Sequence, residues 1–252
     1  MRLKCPIAGI LPAAVLLACV GASAAGSATA TSGCPLPVFG PGVAYHPQIP
    51  PSEFGPNVDN PWFPLTPGRT LLYSGVKDGK HALDLVVPTS RTKVIDGVTT
   101  RVVADRLYLN GRPAERTSDY YAQDRCGNVW YFGEDTAELD RRGKVRSTEG
   151  SFHAGERGAQ PGVFMQAQPE LRRRFRQEWY QGHAEDTFRA IDLSASATEP
   201  SGRFPGALRT EESTALEPKV LDNKLYAKGI GELEERAVKG PREQLRLVEI
   251  IE

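Results

Sequence analysis

The sequence predicts a mainly β protein, an antiparallel meander that forms a curved, half-open sheet or barrel-like domain behind a Pro-rich N-terminal arm. Short runs of alternating apolar and polar residues are separated by Asp96-Gly97 and Asn110-Gly111. Such dipeptides tolerate the positive φ of tight hairpin turns. Ten of the twenty prolines lie in residues 34–68, where their density argues against helix and central strand. We therefore expect an arm over residues 31–68 and a single β-rich domain over 69–252.

The first thirty residues have the composition of a secretory signal. Arg2 and Lys4 precede an apolar run over 7–20, which is too short to span a bilayer, and small residues follow through Ala30. Residues 16–19 (L-L-A-C) also resemble a lipobox, in which Cys19 would carry a lipid. Both ways of processing the signal stay open. Both place the protein outside the cytoplasm, as a secreted, periplasmic or lipid-anchored protein, with membrane contact only through an anchor at Cys19.

Two cysteines remain in the folded part, Cys34 and Cys126. In an oxidising compartment two such cysteines are expected to pair. The alternative, a catalytic thiol, has no Cys–His motif to support it. The sequence thus predicts a disulfide that ties the arm to the central hairpin.

The charge composition argues against a nucleic-acid partner. The chain has 31 basic and 31 acidic residues, and 29 basic residues remain once Arg2 and Lys4 are set aside with the signal. A nucleic-acid-binding domain would show a clear basic excess.

The most aromatic stretch, Ser118–Thr136, predicts a hairpin with strands Asp119–Gln123 and Asn128–Phe132 around a turn at Asp124–Gly127. We interpret it as scaffold: its rings build the core and Cys126 clamps the arm. The arm itself is too apolar at Trp62, Phe63 and Leu65 for a free linker. We expect those side chains to dock on the sheet.

The remaining elements follow from the same patterns. Residues 150–162 contain four glycines and predict an irregular loop, of the long ordered kind that often carries function. Leu171–Tyr180 fits either a helix face or a strand, and we favour a strand beyond Arg174. Further strands are expected at Leu71–Tyr73, His81–Val87, Thr92–Ile95, Val98–Leu109, Thr187–Ala195, Ala207–Ala215, Lys224–Lys228, Ile230–Ala237 and Gln244–Ile251, with a turn at Pro200–Gly206.

Several blocks, among them V-D-N-P-W-F-P-L-T-P-G from Val58 and Y-A-K-G-I-G-x-L-E-E from Tyr226, resemble an uncharacterised family of exported bacterial proteins. The resemblance covers most of residues 57–237 and implies an architecture but no established activity. The second block also resembles the last hairpin of lipoprotein-carrier-like proteins with a half-open sheet. His153, His183 and Cys126 depart from the family pattern.

Candidate chemistry lies on two loops. One offers His153 and Glu156, and the other offers Glu178, His183, Glu185 and Asp186. Asp124, Glu134 and Asp135 at the ends of the hairpin strands are expected to border this site. Imidazole and carboxylate groups together can bind a divalent metal, although their spacing matches no established metal motif. Glu178, between aromatic residues, could be a general acid with a raised pKa, or it could pair with Arg176 or another Arg of the adjacent strands.

These observations support an exported, non-catalytic binding or cell-envelope protein, with a lipid, a small amphiphile or an envelope protein as partner. One alternative is a metal-dependent, hydrolase-like enzyme that uses the His and carboxylate loops. Another is a structural surface protein. No nucleophile motif or phosphate-binding loop is present in the sequence.

Overall fold

The computed structural model describes residues 33–252, so the predicted signal over 1–30 and the lipobox at Cys19 lie outside the described residues. In the described range the chain is antiparallel β with no α-helix, and its strands form a nearly closed, barrel-like sheet with one unsealed seam. The predicted fold class is confirmed. No helix in this range is long and apolar enough to cross a membrane.

The strands are named in chain order. They are β1 (Phe54–Gly55), β2 (Thr70–Lys77), β3 (Lys80–Ile95), β4 (Val98–Leu109), β5 (Arg112–Asp124), β6 (Val129–Leu139), β7 (Val145–Ser147), β8 (Phe152–His153), β9 (Gln160–Met165), β10 (Arg174–Arg176), β11 (Glu178–Trp179), β12 (Asp186–Glu199), β13 (Gly202–Thr214), β14 (Leu221–Ala227), β15 (Gly231–Lys239) and β16 (Gln244–Ile251). Short 3₁₀ turns at Gly42–Ala44 and Pro51–Glu53 precede them in the arm.

The sheet curls round until its two edges meet. Its strand order is β10-β12-β13-β14-β15-β16-β2-β3-β4-β5-β6-β9-β11. The first and last strands of this order, β10 and β11, are separated along the chain by Gln177 alone. One short segment therefore joins both edges, and the seam lies there because β10 and β11 are only three and two residues long.

The seam depends on a close approach at Gly162. A Cβ built on Gly162 would lie 2.2 Å from the carbonyl carbon of Gln177, far inside van der Waals contact. On the side of Gln177 that faces β12, the Gln177 N–H donates to the Asp186 carbonyl at 2.8 Å. Glycine is thus the residue that lets β9 reach the connecting segment.

Turn chemistry sets the hairpins as the sequence predicts. Asp96 and Gly97 have φ of 49° and 77°, and Asn110 and Gly111 have φ of 50° and 73°. Both residues of each pair occupy the left-handed region that tight hairpins require.

The arm is covalently and sterically fixed to the sheet. Cys34 and Cys126 form the predicted disulfide, with their Cα atoms 5.9 Å apart. Phe54 packs edge-on against Trp130 and Phe132, at ring distances of 5.7 and 5.6 Å. Further along, Trp62 is buried in the main core cluster, which confirms the predicted docking of the arm.

The aromatic hairpin serves two faces of the sheet. Tyr121 and Tyr131 belong to the cluster that contains Trp62 and the interior residue Tyr226. Trp130 and Phe132 belong to a second cluster, which the arm covers. Because successive side chains on a strand point to opposite sides, one hairpin supplies both cores.

Two local predictions need correction, and one is confirmed. Residues 150–162 do not form one irregular loop, because β8 and the start of β9 pair with β6 inside that range. The predicted turn at Pro200–Gly206 is shorter, because β13 already begins at Gly202 and Pro205 pairs opposite Ser196. Backbone pairing outweighs the local Gly and Pro signal in both places, with β6 in the first and with the preceding strand β12 in the second. The strand beyond Arg174 is confirmed, as two short pieces.

Candidate functional site

A cavity of about 190 Å³ lies within the barrel-like sheet. Its wall comes from strands β2 to β5, from β14 to β16, from the β9 residue Phe164 and from the end of the arm. The wall combines carboxyl groups with aromatic and aliphatic side chains. Its charged and aromatic residues include Phe63, Asp84, Asp105, Asp119, Tyr121, Phe164, Lys224, Glu232 and Glu235.

Three aspartates follow a diagonal across one wall of the cavity. The register places Asp84 opposite Leu107 and Asp105 opposite Val86, so the two aspartates are diagonal neighbours on β3 and β4. On the next strand pair, β4 and β5, Asp119 lies opposite Val103, so Asp119 is the diagonal neighbour of Asp105. The carboxyls of Asp84 and Asp105 share a hydrogen bond, and Asp119 accepts one from the Tyr131 hydroxyl at 2.7 Å.

Lys224 stands on another wall, surrounded by glutamates. Its Nζ lies 3.4 Å from Glu212, 3.6 Å from Glu232 and 3.6 Å from Glu235. Burial opposes the charged ammonium, but these three carboxylates outweigh it and raise the pKa of Lys224. The lysine is therefore charged and already committed to the glutamates.

Aromatic rings form a third part of the wall. Phe63 of the arm lies 4.6 Å from Phe164 and 5.2 Å from Tyr121, measured between ring centroids. These distances are typical of packed aromatic pairs. The arm thus contributes directly to the cavity as well as closing the core.

The interior carboxyls are crowded, and their pKa values are high. Burial, opposed by the Tyr131 hydrogen bond and assisted by the charges of Asp84 and Glu115, raises the pKa of Asp119 to about 7. Burial raises the pKa of Glu232 to about 8 against the opposing attraction of Lys224. Burial, with the charge of Asp84, also raises the pKa of Asp105 well above its ordinary value. Carboxyls that cannot all ionise together hold protons at neutral pH.

The residues predicted as a single site fall into separate groups. Glu134 and Glu178 belong to the interior: burial and then the charge of Asp186 raise the pKa of Glu178, with Glu134 next in effect. Asp186 is the first residue of β12; burial raises the pKa of its carboxyl as well, and its charge acts on Glu134. Arg176 does not pair with Glu178 as the ion-pair interpretation expects, because its guanidinium donates to the Gly40 carbonyl at 2.8 Å.

A second group lies around a small cleft of about 160 Å³ lined by Asp135, His153 and Glu156. His153 Nε2 is 3.0 Å from Asp135 and 3.1 Å from Lys93 Nζ, and its Nδ1 is 3.4 Å from Glu156. Burial would raise the pKa of Asp135, but hydrogen bonds from Tyr120 and Lys93 outweigh it and lower that pKa. Two predicted ligands and one predicted border residue do meet here.

The other predicted residues lie in separate local structures. His183 Nδ1 is 2.8 Å from Glu149, and its ring stacks on Tyr180 at 4.4 Å. Glu185 accepts a hydrogen bond from the Gly182 amide at 2.8 Å. Asp124 organises the hairpin turn, since its two oxygens accept from the Cys126 and Asn128 amides, the Asn128 side chain and the Trp130 indole.

Within residues 33–252 the predicted His and carboxylate ligands do not converge on one point. Among the described residues, one group of three possible ligand atoms lies within 4.8 Å of one another, Cys34, Asp124 and Cys126, and the sulfurs of its two cysteines form the disulfide. The proposal of a divalent metal at His153, Glu156, Glu178, His183, Glu185 and Asp186 stays a prediction.

The cavity carboxyls were missed by sequence reasoning, although a signal exists. On β3, the face of Ala82 and Val86 also carries Asp84; on β4, the face of Val103 and Leu107 also carries Asp105. A carboxyl between two apolar residues on one strand face indicates a polar group pointing into a core.

Comparisons with known proteins give one similar structure. No family model and no curated protein matches the chain. The crystal structure of "a putative lipoprotein" from Parabacteroides distasonis ATCC 8503, at 2.70 Å resolution, is 9% identical with a TM-score of 0.41 and covers 77% of this chain and 100% of its own. No ligand, partner or activity of this chain follows from that similarity. The resemblance to a family of exported proteins stays a prediction.

Proposed function

We propose that this protein is an exported, non-catalytic binding protein that holds a small ligand inside its barrel-like sheet. The observation that carries the proposal is the cavity of about 190 Å³, with aromatic rings on one side and carboxyls on another. Sites for small molecules combine apolar walls with a few convergent polar groups in this way. Export is supported by the signal predicted over 1–30 and by the Cys34–Cys126 disulfide, a bond typical of oxidising compartments.

The size of the cavity limits the ligand. An apolar cavity of about 150 Å³ accommodates a molecule such as benzene. At about 190 Å³, this cavity accommodates a single ring with a short substituent, or an aliphatic molecule of similar size. Of the partners expected from the sequence, a small amphiphile fits inside, whereas an intact phospholipid does not.

The two alternative functions receive less support. A metal-dependent hydrolase would need His153, Glu178 and His183 to share an ion. His153 and His183 instead contact different carboxylates, Asp135 and Glu149. A purely structural surface protein has no need of an interior cavity with carboxyls that lack counter-charges.

The proposal is tested by native mass spectrometry of the full protein purified from its own host. We expect an added mass of one small molecule that is lost on denaturation. The matched control is Val86→Phe, which fills the cavity from its wall, and it should retain the fold by circular dichroism but lose the added mass. A ligand-free protein, or an unchanged added mass in Val86→Phe, contradicts the proposal. Stoichiometric metal in elemental analysis would favour the enzyme instead.

A further inference from the structure

Three carboxyls face the cavity without a cation. Among the described residues, no Lys, Arg or His nitrogen lies within ion-pair distance of Asp84, Asp105 or Asp119. Asp84 and Asp105 hydrogen-bond each other, and Asp119 accepts from Tyr131. Ionised buried carboxylates are normally paired with a cation or a metal, so in its ionised form this wall lacks a counter-charge.

One carboxylate oxygen at the cavity is also unsatisfied. Asp84 Oδ1 is buried and has no hydrogen-bond partner in the described part of the chain. Buried polar groups without partners are rare in folded proteins. The position of this oxygen on the wall indicates that a bound molecule completes its hydrogen bonds.

The terminal nitrogens of both cations of the cavity wall are already engaged, whereas Arg69 Nε is buried without a hydrogen-bond partner among the described residues. Lys224 contacts three glutamates, as described above. Arg69 pairs with Glu252 at 2.9 Å and donates to the Gly229 carbonyl at 3.0 Å. Neither side chain is in ion-pair contact with the aspartate diagonal.

The aromatic wall favours the same kind of ligand. Phe63, Tyr121 and Phe164 form a mutually packed group beside the aspartates. Rings attract cations through their electron-rich faces, and they also pack against an apolar body. Carboxylates together with aromatic rings are the groups that recognise an ammonium on a small organic molecule.

We propose that the cavity binds a small organic cation, a protonated amine whose nitrogen donates to Asp84 and Asp105, with Asp119 one diagonal step away as a further negative charge, while its apolar part packs on Phe63 and Phe164. This inference rests on the proposed binding function and names the ligand class. An inorganic ion fits less well, because no three carboxylate oxygens of this wall lie within 4.8 Å of one another in the described residues. An ammonium can be held by two acceptors at hydrogen-bond distance and does not need a third carboxylate oxygen within the same cage.

Binding of the amine should strengthen as pH rises. A cation favours ionised carboxyls, whereas burial raises the pKa of Asp84, Asp105 and Asp119, the last to about 7. An amine must therefore displace protons when it binds at or below neutral pH. The titratable and charged groups that face this wall are Arg69 of the arm, Tyr73 on β2, Asp84 on β3, Asp105 on β4, Asp119 and Tyr121 on β5, Lys224 on β14, and Glu232 and Glu235 on β15.

The test is calorimetric titration of the full protein after any host ligand has been removed. It compares aromatic probes of similar shape that differ in charge, and it includes a calcium salt. The probes are benzylammonium, phenethylammonium, benzyl alcohol, benzoate and calcium chloride. At pH 8 we expect the ammonium probes to bind about tenfold more tightly than benzyl alcohol, and benzoate not to bind. Their affinity should fall at pH 5.5. Titration in two buffers of different ionisation enthalpy should show proton release.

A pair of variants assigns the effect to the cavity. Asp84→Asn removes one charge and nearly preserves shape, and it should cut the preference for benzylammonium over benzyl alcohol by about tenfold. Glu217→Gln removes one charge from an exposed loop and should leave that preference unchanged. Asp119→Asn provides a second cavity variant in case Asp84→Asn alters folding, which circular dichroism and the melting temperature will report.

The outcomes separate this inference from the proposed function. Equal binding of the charged and neutral probes overturns the cation preference and leaves the binding function standing. Calcium binding that depends on Asp84, without amine binding, overturns it in favour of a metal. Failure of both amines to bind also overturns the inference of an amine ligand. In that case native mass spectrometry, which detects any ligand retained from the host, still tests the proposed binding function.

Discussion

The interior carboxyls should make the protein less stable as pH rises, and Glu134 provides the sharpest test. Burial, followed by the charges of Asp119 and Glu115, raises the pKa of Glu134 to about 9 from an ordinary value of 4.5. The perturbation is Glu134→Gln, which keeps the size of the side chain and removes the ionisable group. Glu134 does not line the cavity, although it pairs with Asp119 across β5 and β6, so the test measures the stability of the fold and not ligand binding.

The sign and the size follow from proton linkage. Between the unfolded pKa near 4.5 and the folded pKa near 9, the folded state binds one more proton than the unfolded state. Each pH unit in that window therefore lowers the free energy of unfolding by about 1.4 kcal/mol. At pH 7 the penalty reaches up to about 3 kcal/mol, and Gln removes it. The variant should be more stable than the parent at pH 7 and equal to it near pH 4.5.

The assay is urea unfolding of both proteins at pH 4.5, 6 and 7, followed by tryptophan fluorescence. The matched control is Glu138→Gln on the same strand, a half-exposed carboxylate that pairs with Arg146. Exposed ion pairs contribute about 1 kcal/mol or less, so the control should show a small change. A Glu134→Gln protein that is destabilised at pH 7, or whose gain in stability is the same at every pH, refutes the reasoning.

Three further perturbations test the covalent tie, the seam and the interior charge. Replacing Cys34 and Cys126 together with Ser should lower the free energy of unfolding by about 4–5 kcal/mol, because the bond joins residues 92 positions apart; the urea midpoints of the two proteins measure it. Gly162→Ala should lower the melting temperature strongly, because its Cβ would overlap the Gln177 backbone, whereas Gly55→Ala meets nothing within 4 Å and should not. Lys224→Met should lower the free energy of unfolding by about 3–5 kcal/mol at pH 8, because it leaves three glutamates without their cation. The loss should be smaller at pH 5, where protonation relieves those glutamates of their unpaired charge. Urea unfolding at both pH values measures the loss, and an equal loss at the two would contradict the prediction.

Local patterns predicted much of the strand arrangement. The bounds expected for β4, Val98–Leu109, are those observed, because alternation and two Gly-containing turns define it without any distant partner. β3 was predicted as two runs, and it is one strand whose register shifts between Pro88 and Thr92. Proline interrupts a local pattern, but a shift in register can absorb it inside a longer strand.

The candidate site was predicted less well, because its residues come together through strand pairing. His153, Glu156 and Asp135 do meet, since β8 pairs with β6 and brings the loop to the hairpin. The cavity aspartates are 21 and 14 residues apart along the chain, and only the registers of β3, β4 and β5 place them on one diagonal. A sequence shows which residues lie on the same face of a strand as a carboxyl, but it does not show which other strand pairs with that strand.

The sequence by itself determined the fold class, the hairpin turns, the disulfide partners and the docking of the arm. Each of these depends on local backbone preference, on composition or on having two cysteines to pair. Only the tertiary structure decided that the sheet closes at Gly162, that Phe63 completes a cavity wall, and that Asp84, Asp105 and Asp119 line it without a counter-charge. Those features arise when strands distant in the chain enclose a common interior, where burial raises the pKa of Asp84, Asp105 and Asp119.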